Sequence, residues 1–502
     1  MGSSQFRTSM TKEWLSHCNH PNCGDFKPRP MPTRVIDLGF KDPRILDTGG
    51  REGLYLALSY CWGKGRGIHK IKLRSENYDE FRMSGIDECQ MTLAHREALQ
   101  LARELGYRYI WIDALFAGKN DDSRMGFLTG GTQHTVPPAA ITCELPGGRT
   151  EICYLGTERS QAVGATDTRA WCFQESLLSR RMLIFGPEQL MFRCCECMDF
   201  EDGKHRPLGD KNEWRISSIP KHWTLRADVF RAWYEIANEY SKREFFDPHD
   251  NFAAISGVAQ QFQNALRDGD VKPRYLAGLW ESDMVRGLLW RSSTLVDAEQ
   301  EPLRKPIGVS QTNQGREIMT APTWSWLGLR GHIIQDVGAA YNPIMLDPTA
   351  YRCFPKNPKS WAPGHWDPFL IKSEELPLPF KLEVRGSLRK VRLSTIKISD
   401  YPGGLRWAGK YGRQSLFKYV TLLEAAEKPA LKAIDLKNYD TIVATGSFDC
   451  YGQRPTILWA MLLTHVEGLL LQRNPDGYYE RLGVFCQEWG YENGQLEDIV
   501  LV

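Results

Sequence analysis

The chain has 502 residues, with 63 Lys and Arg against 61 Asp and Glu and a formal net charge of +2. At about 150 residues per domain the length implies two or three cores, and the near-neutral balance excludes the broad positive field that nucleic acid or an anionic membrane surface requires. No apolar run approaches the roughly 18 residues of a membrane span. The opening MGSSQFRTSMTKEW has no apolar stretch of signal-peptide kind, so a cytoplasmic protein is expected. The 13 cysteines are scattered and odd in number, which reads as reduced, mostly buried thiols rather than a disulfide framework.

In chain order, residues 1–30 form a polar, proline-marked lead-in to a strand predicted at Arg34 to Leu38. LYLALSYCW, ending at Trp62, is a nearly continuous apolar run of strand length, the pattern of a strand buried on both faces of a parallel sheet. Gly63, Gly65 and Gly67 then make a loop. Thr92 is placed to cap the helix LAHREALQLARELG, which stops at Gly106, and YRYIWIDAL follows as a second buried strand. Strand, helix and strand within about sixty residues is a βαβ unit, which predicts an α/β domain with a parallel sheet. Residues 116–168 carry glycines and prolines without a sustained period and read mostly as loop. WCFQESLLS is then a helix, RMLIFGPEQLMFRC a strand and EDGKHRPLGDKNE a polar linker. Two amphipathic helices, ADVFRAWYEIANEYSKR and FAAISGVAQQFQNAL, define a helical region over 201–310. Alternating runs such as KLEVRGSLRKVRLSTIKI and ILWAMLLTHVEGLLLQR make 311–502 β-rich.

Three segments add polar residues that their apolar runs do not need: YLALSYCWG, LGYRYIWIDAL and RAWCFQESLLSRR. Ser59, Tyr60 and Trp62 end the first buried strand, where open parallel sheets bind ligands, although core packing explains Tyr60 and Trp62 equally well. Gly63 opens the adjoining loop, but GKGRG is not a dinucleotide fingerprint because no helix starts from it. Asp113 ends the second strand at the same edge of the sheet, as a second carboxylate or as a loop anchor. Glu175 shares a helix face with Trp171, four residues earlier, and is expected near the positive N-terminal end of its helix. A surface carboxylate responding to the helix dipole is the plain alternative. Arg180 and Arg181 meet phosphate or pair with acidic neighbours. Cys18, His20 and Cys23, and separately Cys194, Cys195 and Cys197, are zinc-compatible residue types. Neither group reads as paired CxxC spacing, and no metal is expected.

The three segments, in this order, resemble the signatures of the fungal heterokaryon incompatibility (HET) domain: Ser-Tyr-x-Trp-Gly, Arg-Tyr-x-Trp-Ile-Asp, and Arg-x-Trp-x-x-Gln-Glu followed by Leu-Ser-x-Arg. MPTRVIDL resembles the family's lead-in, and YSKREFFDPHDNFAAISGVA, YLAGLWESDMVRGLLW and APTWSWLGLRG resemble segments that commonly follow the domain. After Leu115 the chain departs from the family pattern: LFAGKNDDSRMGF stands where members continue with Cys-Ile-x-Gln.

The resemblance implies a HET domain over 31–200 with a TIR-like parallel sheet flanked by helices. It also implies a role in self/nonself recognition and programmed cell death, with self-association or an incompatibility partner. Trp-Cys-x-x-Glu at Trp171 to Glu175 is similar to the TIR-domain helix that carries the NAD-cleaving glutamate. By that analogy Glu175 is catalytic with Asp113 in support. Ser59, Tyr60, Trp62, Gly63 and Trp171 then line a pocket in which NAD is substrate rather than cofactor. A non-catalytic interaction module, or an inactive divergent HET protein, is the alternative.

Overall fold

The computed structural model describes residues 3–60, 73–112, 127–128, 139–145, 149–155, 168–186, 189–208, 226–244, 248–266, 274–292, 310–311, 317–318, 322–328, 331–334, 382–393, 419–424, 442–449, 455, 457–464, 467–487 and 495–502. It divides into two compact units, Met1–Pro220 and Lys221–Val502.

The first unit opens on helix α1, Ser3–His17, inside the segment expected to be a lead-in. α1 is tied to the body of the unit along its length. Arg7 donates from Nε and Nη2 to the two carboxylate oxygens of Glu201, at 2.9 and 3.1 Å. Thr8 Oγ1 donates to Glu104 at 2.6 Å, and the Trp14 ring stacks on Phe192.

Strands β1 (Arg34–Asp37), β2 (Arg44–Asp47) and β3 (Tyr55–Leu58) follow, then a short helix α2 (Tyr78–Met83), helix α3 (Leu93–Glu104) and strand β4 (Tyr109–Ile112). The βαβ unit forms as predicted: β3 and β4 pair in parallel, from Tyr55 opposite Tyr109 to Leu58 opposite Ile112. Thr92 caps α3, its hydroxyl accepting from the His95 N–H at 3.5 Å.

The remainder of this sheet corrects the expectation of a parallel one. Its order is β2-β1-β4-β3, and β1 runs antiparallel to both β2 and β4. RVID and RILD are joined by only six residues, too few for the crossover that a parallel pair needs, so they pair antiparallel. The domain is therefore mixed α/β. Its core packs Ile36, Ile45 and Ile110 of the sheet against Ala98, Leu99 and Ala102 of α3. At the end of β1 the buried Asp37 accepts from Arg108 Nε and Nη2, each at 2.9 Å, and from the Gly39 N–H at 2.9 Å, which fastens β1 to the approach of β4.

Two further expectations are corrected beyond β4. Within the stretch read as loop, β5 (Ala139–Leu145) and β6 (Arg149–Leu155) pair antiparallel, Ala139 opposite Leu155 through Leu145 opposite Arg149. AAITCEL and RTEICYL are rich in β-formers, and Pro146-Gly147-Gly148 between them is a turn signal that was absorbed into the loop reading. After helix α4 (Ala170–Leu178), the run expected as one strand folds as two, β7 (Met182–Phe185) and β8 (Leu190–Arg193), because Gly186-Pro187 breaks it. With β9 (Cys197–Phe200) and β10 (His205–Pro207), the latter inside the expected linker, they form an antiparallel sheet in the order β10-β9-β8-β7.

The second unit begins with the two expected amphipathic helices, α5 (Arg226–Ser241) and α6 (Ala253–Ala265). Five fully buried tryptophans, Trp233, Trp280, Trp290, Trp324 and Trp326, anchor its helical part. The carbonyl of Gly278 accepts from both Trp233 Nε1 (3.0 Å) and Trp326 Nε1 (2.9 Å). Gly278 sits at φ +92°, and a Cβ there would come 2.7 Å from Trp326 Nε1, so only glycine fits. The Ala-Gly of YLAGLW and the Trp-Ser-Trp of APTWSWLGLRG are thus one packing unit.

Strands β11 (Leu382–Leu393), β12 (Tyr419–Glu424), β13 (Ile442–Phe448), β14 (Ile457–Leu462), β15 (Glu467–Arg473), β16 (Tyr479–Gln487) and β17 (Gln495–Leu501) make the β-rich C-terminal region. Their order is β12-β13-β16-β15-β14-β11-β17, and β12 also pairs with β11, so the sheet closes on itself around Val391, Leu458, Leu470 and Phe485. Arg481 and Asp449 form an ion pair at 2.8 Å with side chains 0 and 1% exposed. The same guanidinium donates to the Leu288 and Trp290 carbonyls and lies 3.6 Å from the Trp290 ring centroid. No helix among the described residues is long and apolar enough to cross a membrane.

Candidate functional site

The carboxyl ends of β3 and β4 share one edge, as Leu58 pairs with Ile112 in parallel register. Ser59 is exposed and Tyr60 half-buried where the chain leaves β3. The Tyr60 hydroxyl lies 2.7 Å from Nε2 of the buried His95 on the first turn of α3, and the two rings meet edge-on with centroids 4.9 Å apart. Arg169, the residue preceding α4, donates from Nη1 to the Tyr60 carbonyl at 3.1 Å. A single side chain therefore joins the start of the third signature segment to the end of the first. Trp62, Gly63 and Asp113 lie outside the described residues.

On α4, Cys172, Phe173 and Leu177 face inward, Glu175 is half-buried, and Trp171 is 37% exposed. The helix begins at Ala170, so Glu175 is its sixth residue and the first turn holds no acid. This corrects the placement of Glu175 at the positive end of the helix. Its own carbonyl already accepts the Ser179 N–H (3.1 Å) and hydroxyl (2.7 Å) that close the last turn. The turn is held from outside as well: Arg193 at the end of β8 donates to the Ser176 carbonyl (2.6 Å) and hydroxyl (2.9 Å).

Two residues that sequence reasoning passed over shape this region. His95 fixes the Tyr60 ring, and the buried Glu97 accepts the Phe127 and Leu128 N–H groups, the latter at 2.7 Å. The signal for both was available, since an imidazole and a carboxylate stand among Ala94, Ala98 and Leu101 on the apolar face of a helix and need partners there. Arg181 acts on the acidic Asp25 through its charge and finds its hydrogen bonds on backbone and sulfur. It donates to the Cys18 and Gly24 carbonyls at 3.2 and 2.7 Å and to Cys18 Sγ at 3.2 Å, and its guanidinium lies 3.9 Å from the Phe26 ring centroid.

Arg181 thereby borders a cluster that joins the two cysteine groups of the sequence. Cys18, His20, Cys23 and Cys194 bring their ligand atoms within 4.8 Å of one another. Burial pushes the Cys23 thiol up. Burial acts on Cys194 in the same sense, but N–H groups donated by Glu196 and Cys197 outweigh it and hold that thiol down, to about 7. The expectation of no paired spacing is corrected here, because Cys194 and Cys197 are a C-x2-C pair, and the two groups meet only in the folded chain.

Residues 55–126 match the sequence model of the family described as Heterokaryon incompatibility protein (HET). The match covers β3, α3 and β4, the βαβ unit whose edge carries the first two signature segments. The chain carries a heterokaryon incompatibility domain, which ties it to heterokaryon incompatibility. Comparison with curated proteins and comparison with solved structures each find no match.

Proposed function

We propose that this chain is a cell-death effector of self/nonself recognition whose TIR-like HET domain cleaves NAD, with Glu175 as the catalytic carboxylate. The observation that supports this reading best is the Arg169 bridge to the Tyr60 carbonyl, because it ties the helix of Glu175 to the strand edge where an α/β sheet receives ligands.

In the reaction, the bond between the ribose C1′ and the nicotinamide ring nitrogen breaks, and the bonding pair stays on the nitrogen, so neutral nicotinamide leaves without needing an acid. Positive charge builds on the ribose, and the Glu175 carboxylate stabilises that oxocarbenium-like state. Water then adds through oxygen to C1′ and releases one proton, giving ADP-ribose. Ser59, Tyr60, Trp62, Gly63 and Trp171 line the pocket in this proposal, and Asp113 supports the carboxylate. The test is NAD consumption by concentrated wild type beside Glu175→Ala. Removal of one preorganised electrostatic group of this kind costs on the order of 10²–10³ in rate.

The rival reading, a non-catalytic interaction module, is favoured by a different observation. Trp171 and Leu178, seven residues apart on α4, are 37 and 38% exposed, two apolar side chains on one face offered to a second copy or an incompatibility partner. A Glu175→Ala protein that folds and still kills, while Trp171→Ala does not, selects it.

A further inference from the structure

The cysteine cluster is the best-formed ligand set among the described residues, and its geometry is that of a tetrahedral metal site. His20 Nδ1 stands 3.8 Å from Cys18 Sγ, 3.9 Å from Cys23 Sγ and 3.4 Å from Cys194 Sγ. A tetrahedral zinc ion with Zn–S near 2.3 Å and Zn–N near 2.0–2.1 Å separates its ligand atoms by roughly 3.5–3.8 Å. The three His20–sulfur separations fall close to that interval and all four ligand atoms lie within 4.8 Å of one another, a set that one ion at the centre can draw together.

The local backbone is built for sulfur ligands. Cys23 ends a 3-10 turn, Pro21–Cys23, whose backbone returns from Cys23 N–H to the His20 carbonyl at 3.0 Å. Cys194 opens the turn between β8 and β9, closed by its N–H on the Cys197 carbonyl at 2.9 Å. Backbone N–H groups point at the sulfurs: Cys195 N–H at Cys23 Sγ (3.3 Å), and Glu196 and Cys197 N–H at Cys194 Sγ (3.3 and 3.4 Å). Arg181 Nε adds a charged donor to Cys18 Sγ. Such donors are placed to stabilise sulfur bound to a cation, and the four ligand atoms converge on one centre. Plain thiol packing beside Trp14, Leu15 and Phe192 accounts for the burial but not for this convergence of donors.

We propose that Cys18, His20, Cys23 and Cys194 form a closed Cys3His structural zinc site. Cys197, whose sulfur lies 3.5 Å from that of Cys194, stands beside it and supplies a backbone donor rather than a ligand. His20 and Cys194 are 174 residues apart, so the ion clamps the segment after α1 to the β8–β9 turn and cross-links the two ends of the first unit. The same turn follows Arg193, which holds the last turn of α4, so the clamp also sets where the Glu175 helix rests.

The test uses the full chain, produced with zinc supplied and purified without chelator. Elemental analysis is expected to find about one zinc per chain, and X-ray absorption at the zinc edge to find three sulfurs and one nitrogen in the first shell. Cys23→Ser and Cys194→Ser are expected to lose at least nine-tenths of the metal, while Cys197→Ser and the exposed Cys89→Ser keep it. If the ligand variants fail to fold, cobalt-substituted wild type decides, through the thiolate-to-cobalt charge-transfer and tetrahedral ligand-field bands. Folded wild type that holds no zinc and gives no cobalt bands would overturn the proposal and leave buried thiols. A four-sulfur shell, or metal retained by His20→Ala and lost from Cys197→Ser, would overturn the Cys3His assignment.

Discussion

Replacing Asp37 with Asn probes the contact that fixes the antiparallel strand β1 against the βαβ unit. The carboxylate is buried and accepts two N–H bonds from Arg108 and one from Gly39. Hydrogen bonds to charged groups are worth about 1.5–3 kcal/mol each when buried. The Arg108 side chain is 57% exposed, so its fork is rehydrated in the variant and the bidentate pair sits at the low end. A total loss of about 2–3 kcal/mol follows, which is roughly a 30- to 150-fold rise in local opening at about 1.4 kcal/mol per decade. Hydrogen exchange read on peptides covering 34–38 and 107–112 measures it without requiring the two units to unfold together.

The pH dependence carries the sign. Burial raises the Asp37 pKa, but the Arg108 and Gly39 bonds and the Arg108 charge outweigh it, so the folded value lies below the ordinary 3.8. A carboxylate with a depressed folded pKa contributes stability that is complete above its unfolded pKa and is lost as pH falls through the folded one. The ratio of variant to wild-type exchange is therefore expected to stay constant from neutral pH to about 5 and to shrink below it. An Asn variant that exchanges like wild type at pH 7, or a ratio that grows on acidification, would refute the reasoning.

Arg481→Met leaves the Asp449 carboxylate buried without its guanidinium and is expected to cost about 3–5 kcal/mol, lowering the urea midpoint read from tryptophan fluorescence by about 1 M or more. Adding Asp449→Leu to it is expected to recover much of the loss; no recovery would show that the Leu288 and Trp290 carbonyls, not the charge pair, dominate. Gly468→Ala places a Cβ inside contact distance of the Met461 carbonyl oxygen and 2.6 Å from the Phe485 ring, so about 3 kcal/mol of overpacking is expected in thermal unfolding. Arg193→Met removes two hydrogen bonds from the last turn of α4, both given by one guanidinium nitrogen, and exchange over residues 174–179 is expected to rise about tenfold for a loss near 1–2 kcal/mol.

Local signals were legible where they agreed with the fold. The apolar run LYLALSYCW, the Thr92 cap and the Gly106 stop predicted β3, α3 and β4, and the β-rich C-terminal region was legible from its alternation. Strand direction was not, because an apolar run has the same composition whichever way its neighbour runs, and β1 came to lie antiparallel against β4; nor is β3 buried on both faces as its run predicts, since Ala57 is exposed and Tyr55, Leu56 and Leu58 are half-buried. The hairpin β5–β6 was not legible because Pro146-Gly147-Gly148 reads equally as part of a long loop and as a turn between two strands. The metal-ligand cluster was hidden for a different reason: His20 and Cys194 meet only in the folded chain, and no periodicity connects residues that far apart. Arg169 likewise finds the Tyr60 carbonyl across more than a hundred residues, so its role as a bridge is a property of the tertiary structure alone.

The central claim is that Glu175 is the catalytic carboxylate of a HET domain that consumes NAD. Nicotinamide release by purified wild type at high protein concentration, beside Glu175→Ala and Glu175→Gln proteins with unchanged circular dichroism, tests it most directly. The account predicts steady release by wild type and a loss of at least about 100-fold in both variants. Equal release by all three proteins, or none from a folded and concentrated wild type, would contradict it.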